Sequence, residues 1–468
     1  MSEKTCQPVD FTRGRLRVSS NKRHVVHRDG TPFFYLADTA WELFHRLDRD
    51  EVELYLSDRA ARHFTAIQAV LIPEIKGLET PSKYGELPLI DKDPARPNPA
   101  WFDHVDYTVG KAENLGLFMA LLPTWGSYTI SNREDFFGTS GIFTPESAYA
   151  YGTWLGERYG QYPNIIWVLG GDRMAYDTKD IWREMARGLR ESYRAGGYLP
   201  PVMTYHPLGP YSSSECLHRE DWLDFNMVQT GHFKFSTPHE FIAHDYALIP
   251  TKPVLNGEPA YEGIPNYLRS GEVKMNDFDV RKCAWWSVMT GAWGHTYGAN
   301  EIWMMYRPDD PDMNFGEGKS LFDAVNPWNE AIHYPGAAQV QHLRALIESR
   351  PMLTRVPDQR LLLSSARGRD MHIRACRCSK GSYAMVYIPA GTPVELDMTR
   401  ISAKRVQLWW YNPRTGEGED AGQSKKKANM EFVPPTEGHA NDWVLVIDDA
   451  EMRYGEPGLF QHHEKDAG

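Results

Sequence analysis

Residues 148–193 read AYAYGTWLGERY, GQYPN, IIWVL, GGDRMAYDTK and DIWREMARGLRESY in succession. The pattern predicts a helix over Ala148–Tyr159, a short apolar strand over Ile165–Leu169 and a second helix over Asp180–Tyr193. The same alternation fills about the first 340 residues. Upstream, the strand Phe33–Leu36 leads to a helix opening at Asp48, where Glu51 stands three residues on as in a capping box. Val52, Tyr55, Leu56 and Ala60 then recur at helical spacing. Strands follow at Ala66–Leu71 and Leu117–Leu121, with a helix over Trp101–Leu115 between them. Downstream, strands are expected at Val202–Tyr205, Phe225–Gln229 and Pro253–Asn256. A helix over Asp277–Thr290 precedes the last strand, near Trp293–Tyr297.

Eight strands mostly separated by helices imply parallel pairing and closure, so the fold class is α/β, a (β/α)8 TIM barrel. An open doubly wound sheet is the rival, but no GxGxxG or GxxxxGK[ST] loop follows any strand. From about Pro351 short β-type runs take over: Leu361–Leu363, Met371–Ala375, Tyr383–Ile388, Val406–Tyr411, Met430–Val433 and Trp443–Ile447. Turn chemistry such as Asn412-Pro413-Arg414-Thr415-Gly416 separates them, as in a small antiparallel β-sandwich. The expected division is a barrel with an N-terminal β extension over 1–350, a sandwich over 351–456 and a flexible tail over 457–468. Ser424–Lys427 is expected as a short basic loop.

Composition bounds the function. Over 468 residues, 51 basic against 62 acidic side chains leave a net charge of −11, which argues against nucleic acid or an anionic membrane as partner. The charged and hydrophobic shares, 24% and 41%, exclude wholesale disorder. Five cysteines without a CxxC pair make no disulfide framework and are expected as structural thiols. Met1–Arg15 lacks the apolar core of a secretory signal, and no run of 18 apolar residues exists to span a membrane, so a cytoplasmic location is expected. Fifteen Trp, 24 Tyr and 19 Phe make 12% aromatics, enough either for a large core or for a cleft paved with rings for sugars.

In such a barrel, reactive groups belong at the C-terminal strand ends. Asp172, in the turn Gly170-Gly171-Asp172-Arg173 after strand four, and Glu258, in Asn256-Gly257-Glu258-Pro259 at strand seven, face each other across the mouth. One carboxylic acid and one carboxylate are what glycoside hydrolysis needs. Neighbouring glycines let the backbone turn sharply and approach a ligand. Spacing does not tell which carboxyl is the acid. Around the pair, Asp38, Trp41, Glu74, Trp125, Tyr205, His206 and His295 are candidate substrate-binding residues. Asp38 and Trp41 would bond hydroxyls and stack on a ring, or else cap and fill a rim. His206 and His295 would bind hydroxyls or tune Glu258, or else sit satisfied in the core. Glu74 is a back-up carboxylate, and Glu262 an anchor for the Glu258 loop. Trp285-Trp286 is expected in the barrel core, and at least one of Trp409 and Trp410 against the barrel.

Three stretches resemble the apiosidase-like glycoside hydrolases: Phe34–Trp41, Trp167–Asp172 and Leu255–Glu262. Trp409–Gly416 resembles the hallmark turn of their C-terminal β-sandwich, a module named for collagen binding. The resemblance runs from about Leu16 to Asp448. It implies a retaining mechanism with Asp172 as acid/base and Glu258 as nucleophile, acting on plant-type oligosaccharides or glycosides without a cofactor. Homo-oligomerisation stays open. Two rivals are a non-catalytic carbohydrate-binding protein that uses the same aromatic mouth and a metal-dependent hydrolase built on His206, His232 and His295. No HxH or HExxH spacing supports the latter, and no metal site is expected.

Overall fold

A computed structural model describes residues 6–130, 140–313 and 320–459. Its central strands are β1 (Tyr35–Thr39), β2 (Ala66–Val70), β3 (Phe118–Leu122), β4 (Ile165–Gly170), β5 (Met203–His206), β6 (Asn226–Gln229), β7 (Val254–Glu258) and β8 (Gly294–Tyr297). They pair in parallel in the order β5-β4-β3-β2-β1-β8-β7-β6. The ends of this row meet. The Asp224 amide donates to the Met203 carbonyl at 2.8 Å, the Met203 amide to the Asp224 carboxylate at 2.8 Å, and the Thr204 hydroxyl to the Phe225 carbonyl at 2.7 Å. The expected (β/α)8 barrel is the fold. In the β5–β6 crossover a two-residue strand, Tyr211–Ser212, runs antiparallel on β6, and a single helical turn, Ser214–Leu217, stands where a full helix would.

Among the described residues seven longer helices complete the shell: α1 (Arg49–Ala61), α2 (Pro99–Asn114), α3 (Pro145–Tyr159), α4 (Lys179–Ala195), α5 (Pro238–Tyr246), α6 (Asp277–Met289) and α7 (Pro335–Glu348). The capping box at α1 forms as expected, with Glu51 N–H to Asp48 and Asp48 N–H to Glu51 both at 3.0 Å. Every residue of β2, β3 and β4 is buried, because interior side chains cover one face and helices the other. An N-terminal hairpin (Leu16–Val18 with Val25–His27) lies near the start of the barrel. Phe11 and Phe33 pack edge-on to Phe118 there, with ring centroids 5.0 and 5.1 Å away, and so close the barrel floor.

The C-terminal strands are β9 (Arg355–Pro357), β10 (Arg374–Cys378), β11 (Tyr383–Ile388), β12 (Val394–Asp397), β13 (Arg405–Tyr411), β14 (Gly418–Lys425), β15 (Asn429–Phe432) and β16 (Trp443–Asp449). Six form an antiparallel sheet in the order β9-β10-β11-β16-β13-β14, and β12 pairs with β15. The expected strand at Leu361–Leu363 is reduced to a single antiparallel bridge, Leu362 to Leu396, with Leu363 N–H on the Glu395 carbonyl at 2.9 Å, after a 3₁₀ turn over Gln359–Leu361. β14 carries no apolar signal, since it is a polar, exposed edge that takes in part of the expected basic loop. The pleat divides the large sheet. Tyr383, Met385, Tyr387, Val444 and Val446 join the barrel core, while Ala384, Val386, Ile388, Leu445 and Ile447 build a second core beneath β12 and β15.

Helix α6 is the seam between the two parts. Trp285 stacks on Tyr387 with centroids 5.7 Å apart, and the Trp286 indole donates to the His372 carbonyl at 2.7 Å. The tryptophan pair belongs to the barrel core, as expected, and within it lies on the side that meets the sandwich. Trp410 is buried inside the sandwich, and Trp409, on the barrel-facing side, stays half-buried. All five cysteines are free thiols. Among the described residues no helix is long and apolar enough to cross a membrane. The tail expected over 457–468 lies outside the described residues from 460 on, as do residues 1–5 of the N-terminal stretch.

Two buried ion pairs pin the seam. Arg281 grips Asp442 through two bonds of 2.9 and 2.8 Å, and Arg350 grips Asp448 at 3.1 and 2.7 Å. The Tyr387 hydroxyl adds a 3.1 Å bond to Asp442. Without Asp442 the buried Arg281 guanidinium would keep only the partly exposed Asp277, 3.2 Å away, as a carboxylate partner, which is costly. Asp442→Ala should therefore lower stability by about 3–5 kcal/mol in chemical denaturation; a loss below ~1 kcal/mol would show that the pair does not hold the two parts together.

Candidate active site

Pleating decides which strand-end residues reach the mouth, since successive side chains point to opposite faces. On β7, Asn256 points outward and donates to the Ser287 hydroxyl on α6 at 3.0 Å. Glu258, two residues on, would follow it in a regular strand. It does not, because pairing with β6 slips between Asn256↔Val228 and Glu258↔Gln229, two steps against one. This bulge turns Glu258 inward. Gly257 is its pivot: its carbonyl accepts from Gln68 Nε2 at 3.0 Å inside the barrel, and a Cβ there would lie 2.4 Å from Met227 Sδ.

Asp172 arrives by a different device. Gly170, Gly171 and Asp172 follow one another at φ of +89°, +129° and +55°. A Cβ on Gly170 would meet the His206 carbonyl at 2.4 Å, and one on Gly171 the Trp125 ring at 2.9 Å, so only glycines fit. Asp is among the few residues that take up the left-handed region readily. The turn is fixed by Gly171 N–H to the His206 carbonyl at 3.1 Å and Gly126 N–H to the Gly171 carbonyl at 3.0 Å.

One imidazole ties the two carboxylates together. The Asp172 amide donates to His206 Nδ1 at 3.3 Å, which leaves the ring proton on Nε2, 2.9 Å from Glu258 Oε2. His232 Nε2 stands 3.1 Å from Glu258 Oε1. The His206 ring is held edge-on to Trp41, centroids 5.3 Å apart, and tilted against Trp125 at 6.2 Å. Burial alone would push the Glu258 carboxyl up, but the His206 and His232 imidazoles against it outweigh that and bring Glu258 down to about 2. Burial, then the Glu258 charge, push Asp172 up against the opposing pull of His206 and Arg173. The site thus holds one firmly ionised carboxylate beside one that keeps its proton more readily, with the Asp172 side chain 32% exposed to the cavity.

A cavity of about 400 Å³ opens above them. Trp41, Glu74, Trp125 and Arg173 line one side, Phe233, Tyr261, Tyr267, Trp303 and Phe322 much of the rest. Trp125 Nε1, Trp303 Nε1, His232 Nδ1 and Gln229 Oε1 are buried there without a protein partner. Rings for stacking next to unpaired donors and acceptors suit a polyhydroxylated ligand.

Of the expected residues, Trp41, Glu74, Trp125, Asp172 and Glu258 line this cavity, and His206 lies directly beneath it. Three do not reach it, because they sit on outward-facing positions. Asp38 turns under α1, where it accepts from Tyr55 at 2.8 Å and Arg59 at 3.2 Å. Tyr205 packs on Trp182, and its hydroxyl holds the Arg173 carbonyl at 2.8 Å. His295 pairs with outward-facing Leu36 and Asn256 and is 1% exposed. The three histidines of the metal rival therefore do not converge, and among the described residues no group of three or more His, Cys, Asp and Glu is arranged to hold a metal. Glu262 anchors its loop, accepting from Tyr297 Oη at 2.7 Å and the Gly336 amide at 2.9 Å. Gln229, Tyr261 and His232 line the site without having been named as substrate-binding; the signal for Gln229 was the inward parity of β6, whereas His232 lies beyond the strand, after Gly231 at φ of +72°, where parity no longer applies.

The family model described as "Apiosidase-like, catalytic domain" matches residues 19–354, and that described as "Putative collagen-binding domain of a collagenase" matches 356–448. A solved structure described as a glycoside hydrolase is 31% identical over 96% of this chain and 100% of its own, with a TM-score of 0.86. A glycoside hydrolase family 5 structure from Bacteroides vulgatus ATCC 8482 is 29% identical over 97% of each chain, with a TM-score of 0.87. The comparison with curated proteins gives no match.

Burial holds the His295 ring neutral and depresses it from 6.5 to about 3. The unfolded chain takes up that proton below about pH 6.5 and the folded one does not, so stability present above that pH is lost on acidification. Between pH 7 and 5 the loss from this ring is about 2 kcal/mol. A His295→Leu variant should show a correspondingly shallower fall in denaturant stability over that range; an unchanged slope would mean the ring protonates freely in the folded state.

Proposed function

The chain belongs to the apiosidase-like glycoside hydrolases, and from that premise we propose that it hydrolyses its glycosidic bond with retention, Glu258 as nucleophile and Asp172 as acid/base. The observation that carries this reading is the split between the two carboxyls, one driven down to about 2 by two imidazoles and the other raised by burial and its neighbour's charge. Glu258, ionised, attacks the anomeric carbon while Asp172 gives its proton to the departing oxygen. In the resulting ester Glu258 carries no charge, so one of the two influences that raise Asp172 disappears. Asp172, which has given up its proton, now rests as a carboxylate and takes a proton from the water that attacks the anomeric carbon, and the bond to Glu258 breaks. His206, bonded to the acid's backbone and facing the nucleophile's carboxylate, keeps both in register. The substrate is a plant-type oligosaccharide or glycoside whose terminal sugar rests against the Trp41 and Trp125 rings, which touch each other with centroids 5.7 Å apart.

Glu258→Gln should cut kcat by about 10⁴-fold or more. Asp172→Asn should lose about 10²–10⁴-fold on substrates with poor leaving groups, with much less loss on 4-nitrophenyl glycosides, and should lose the alkaline limb of the pH profile. That limb falls as pH rises through the raised value of Asp172, whereas the acidic limb follows Glu258 near 2. Proton NMR of the first-formed sugar should show the substrate's own anomeric configuration; the opposite anomer would rule out retention. Separately, Gly257→Ala should push against Met227, shift the Glu258 carboxylate and lower kcat by about 10²-fold without loss of far-ultraviolet circular dichroism. Wild-type turnover in that variant would show that the bulge does not aim the nucleophile.

A further inference from the structure

The cavity has two chemically distinct halves. The catalytic carboxyls, Gln229 and His232 supply polar atoms at its base. The loops after β6, β7 and β8 supply instead Phe233, Ile264, Tyr267, Leu268 and Phe322. Among these five side chains only the Tyr267 hydroxyl can donate or accept, although the same loops also bring Tyr261 and the Trp303 indole N–H into the lining. A second sugar ring placed here would bury its hydroxyls against Ile264 and Leu268 with nothing to bond, which costs free energy for each one. An aryl or branched alkyl group would lose only its exposure to water.

The wall is built and held. Tyr267, Leu268 and Phe322 all take left-handed backbone conformations, at φ of +57°, +57° and +48°. A non-glycine residue adopts this only where its surroundings enforce it. Here they do: Tyr267 N–H donates to the His232 carbonyl at 3.0 Å, Leu268 N–H to the Pro265 carbonyl at 3.0 Å, and Asp323 accepts from Ser270 Oγ at 2.7 Å and Gly271 N at 2.8 Å. The Tyr267 ring rests on Phe233 with centroids 5.0 Å apart. Yet Tyr267 and Leu268 remain 53% and 41% exposed at the rim. Apolar side chains fixed in a strained loop, facing a cavity and still wet, are arranged to be covered by a ligand.

We propose that this wall binds the leaving group, and that the preferred substrates are glycosides of apolar alcohols or phenols rather than longer sugar chains. The inference rests on the glycosidase reading of Asp172 and Glu258. In the first step the bond between the anomeric carbon and the aglycone oxygen breaks, Glu258 forms the new bond to that carbon, and the Asp172 proton passes to the oxygen. The alcohol or phenol leaves neutral along the apolar wall. The cavity of about 400 Å³ holds one sugar ring with one group of similar size.

The test begins with a panel of 4-nitrophenyl glycosides, which identifies the sugar that the enzyme turns over. For that sugar, kcat/KM is then compared among the methyl glycoside, the 2-phenylethyl glycoside and a disaccharide bearing it at the non-reducing end. The 2-phenylethyl glycoside should exceed the disaccharide by about 30-fold or more. In Leu268→Ser and Ile264→Thr the ratio of kcat/KM for the 2-phenylethyl over the methyl glycoside should fall about tenfold, mainly through KM. A disaccharide that equals or beats the 2-phenylethyl glycoside, or an unchanged ratio in both variants, overturns the proposal and leaves the catalytic reading standing. If no glycoside turns over, the catalytic reading fails by itself. The wall is then tested by titrating the wild-type protein and Leu268→Ser with 2-phenylethanol and following tryptophan fluorescence: saturable binding weakened in the variant supports it, and no binding overturns it.

Discussion

Everything at the mouth of this barrel depends on the alternation of a pleated strand and on the one place where that alternation is broken. Each barrel strand has an inner and an outer face, and the outer one belongs to the helices. Asn256 obeys the rule and bonds to α6, while Glu258 escapes it through the slip in pairing at Gly257. Without that slip the carboxylate would be under a helix, where Asp38 is. Asp172 evades the same constraint by leaving the strand through three successive left-handed residues. Two unrelated backbone devices thus bring the carboxyls to one cavity, and both need glycine at the position where a side chain would collide with β5, β6 or Trp125.

Once the carboxyls meet, His206 makes them a unit. Its ring accepts from the backbone of one and faces the carboxylate of the other, and Trp41 and Trp125 wedge it in place. A displacement of either carboxyl is therefore felt by both. The same ring, with His232, outweighs the burial of Glu258, and the resulting negative charge helps to raise Asp172. The difference in acidity between two chemically similar groups follows from what surrounds them rather than from their identity.

Much of this was legible in the amino-acid sequence. The capping box at Asp48 and Glu51, the repeated strand–helix cycle and the two Gly-containing carboxylate turns are local signals, and local chemistry decides them. Parity was the part that strand ends alone did not reveal. Asp38, Tyr205 and His295 stand at strand ends but on the outer face, whereas Gln229 lies on the inner one. Choosing between them requires the register of each strand to within one residue, which short apolar runs do not define. The strand Gly418–Lys425 was missed for another reason: as an exposed edge it buries nothing and so carries no apolar pattern. Trp285 and Trp286 read as core and are core, but that the sandwich covers them was not legible, because an apolar residue does not say which part of the protein buries it.

Helix α6 backs the β7–β8 side of the barrel with one face and receives the sandwich with the other. Its tryptophans, its buried arginine and the inner face of the large sheet belong to one continuous core. The C-terminal part is accordingly not a cassette on a tether. For anyone recombining such enzymes, an exchange of this module is a redesign of the hydrophobic interior behind Glu258, and the natural seams for grafting lie in the rim loops that shape the cavity.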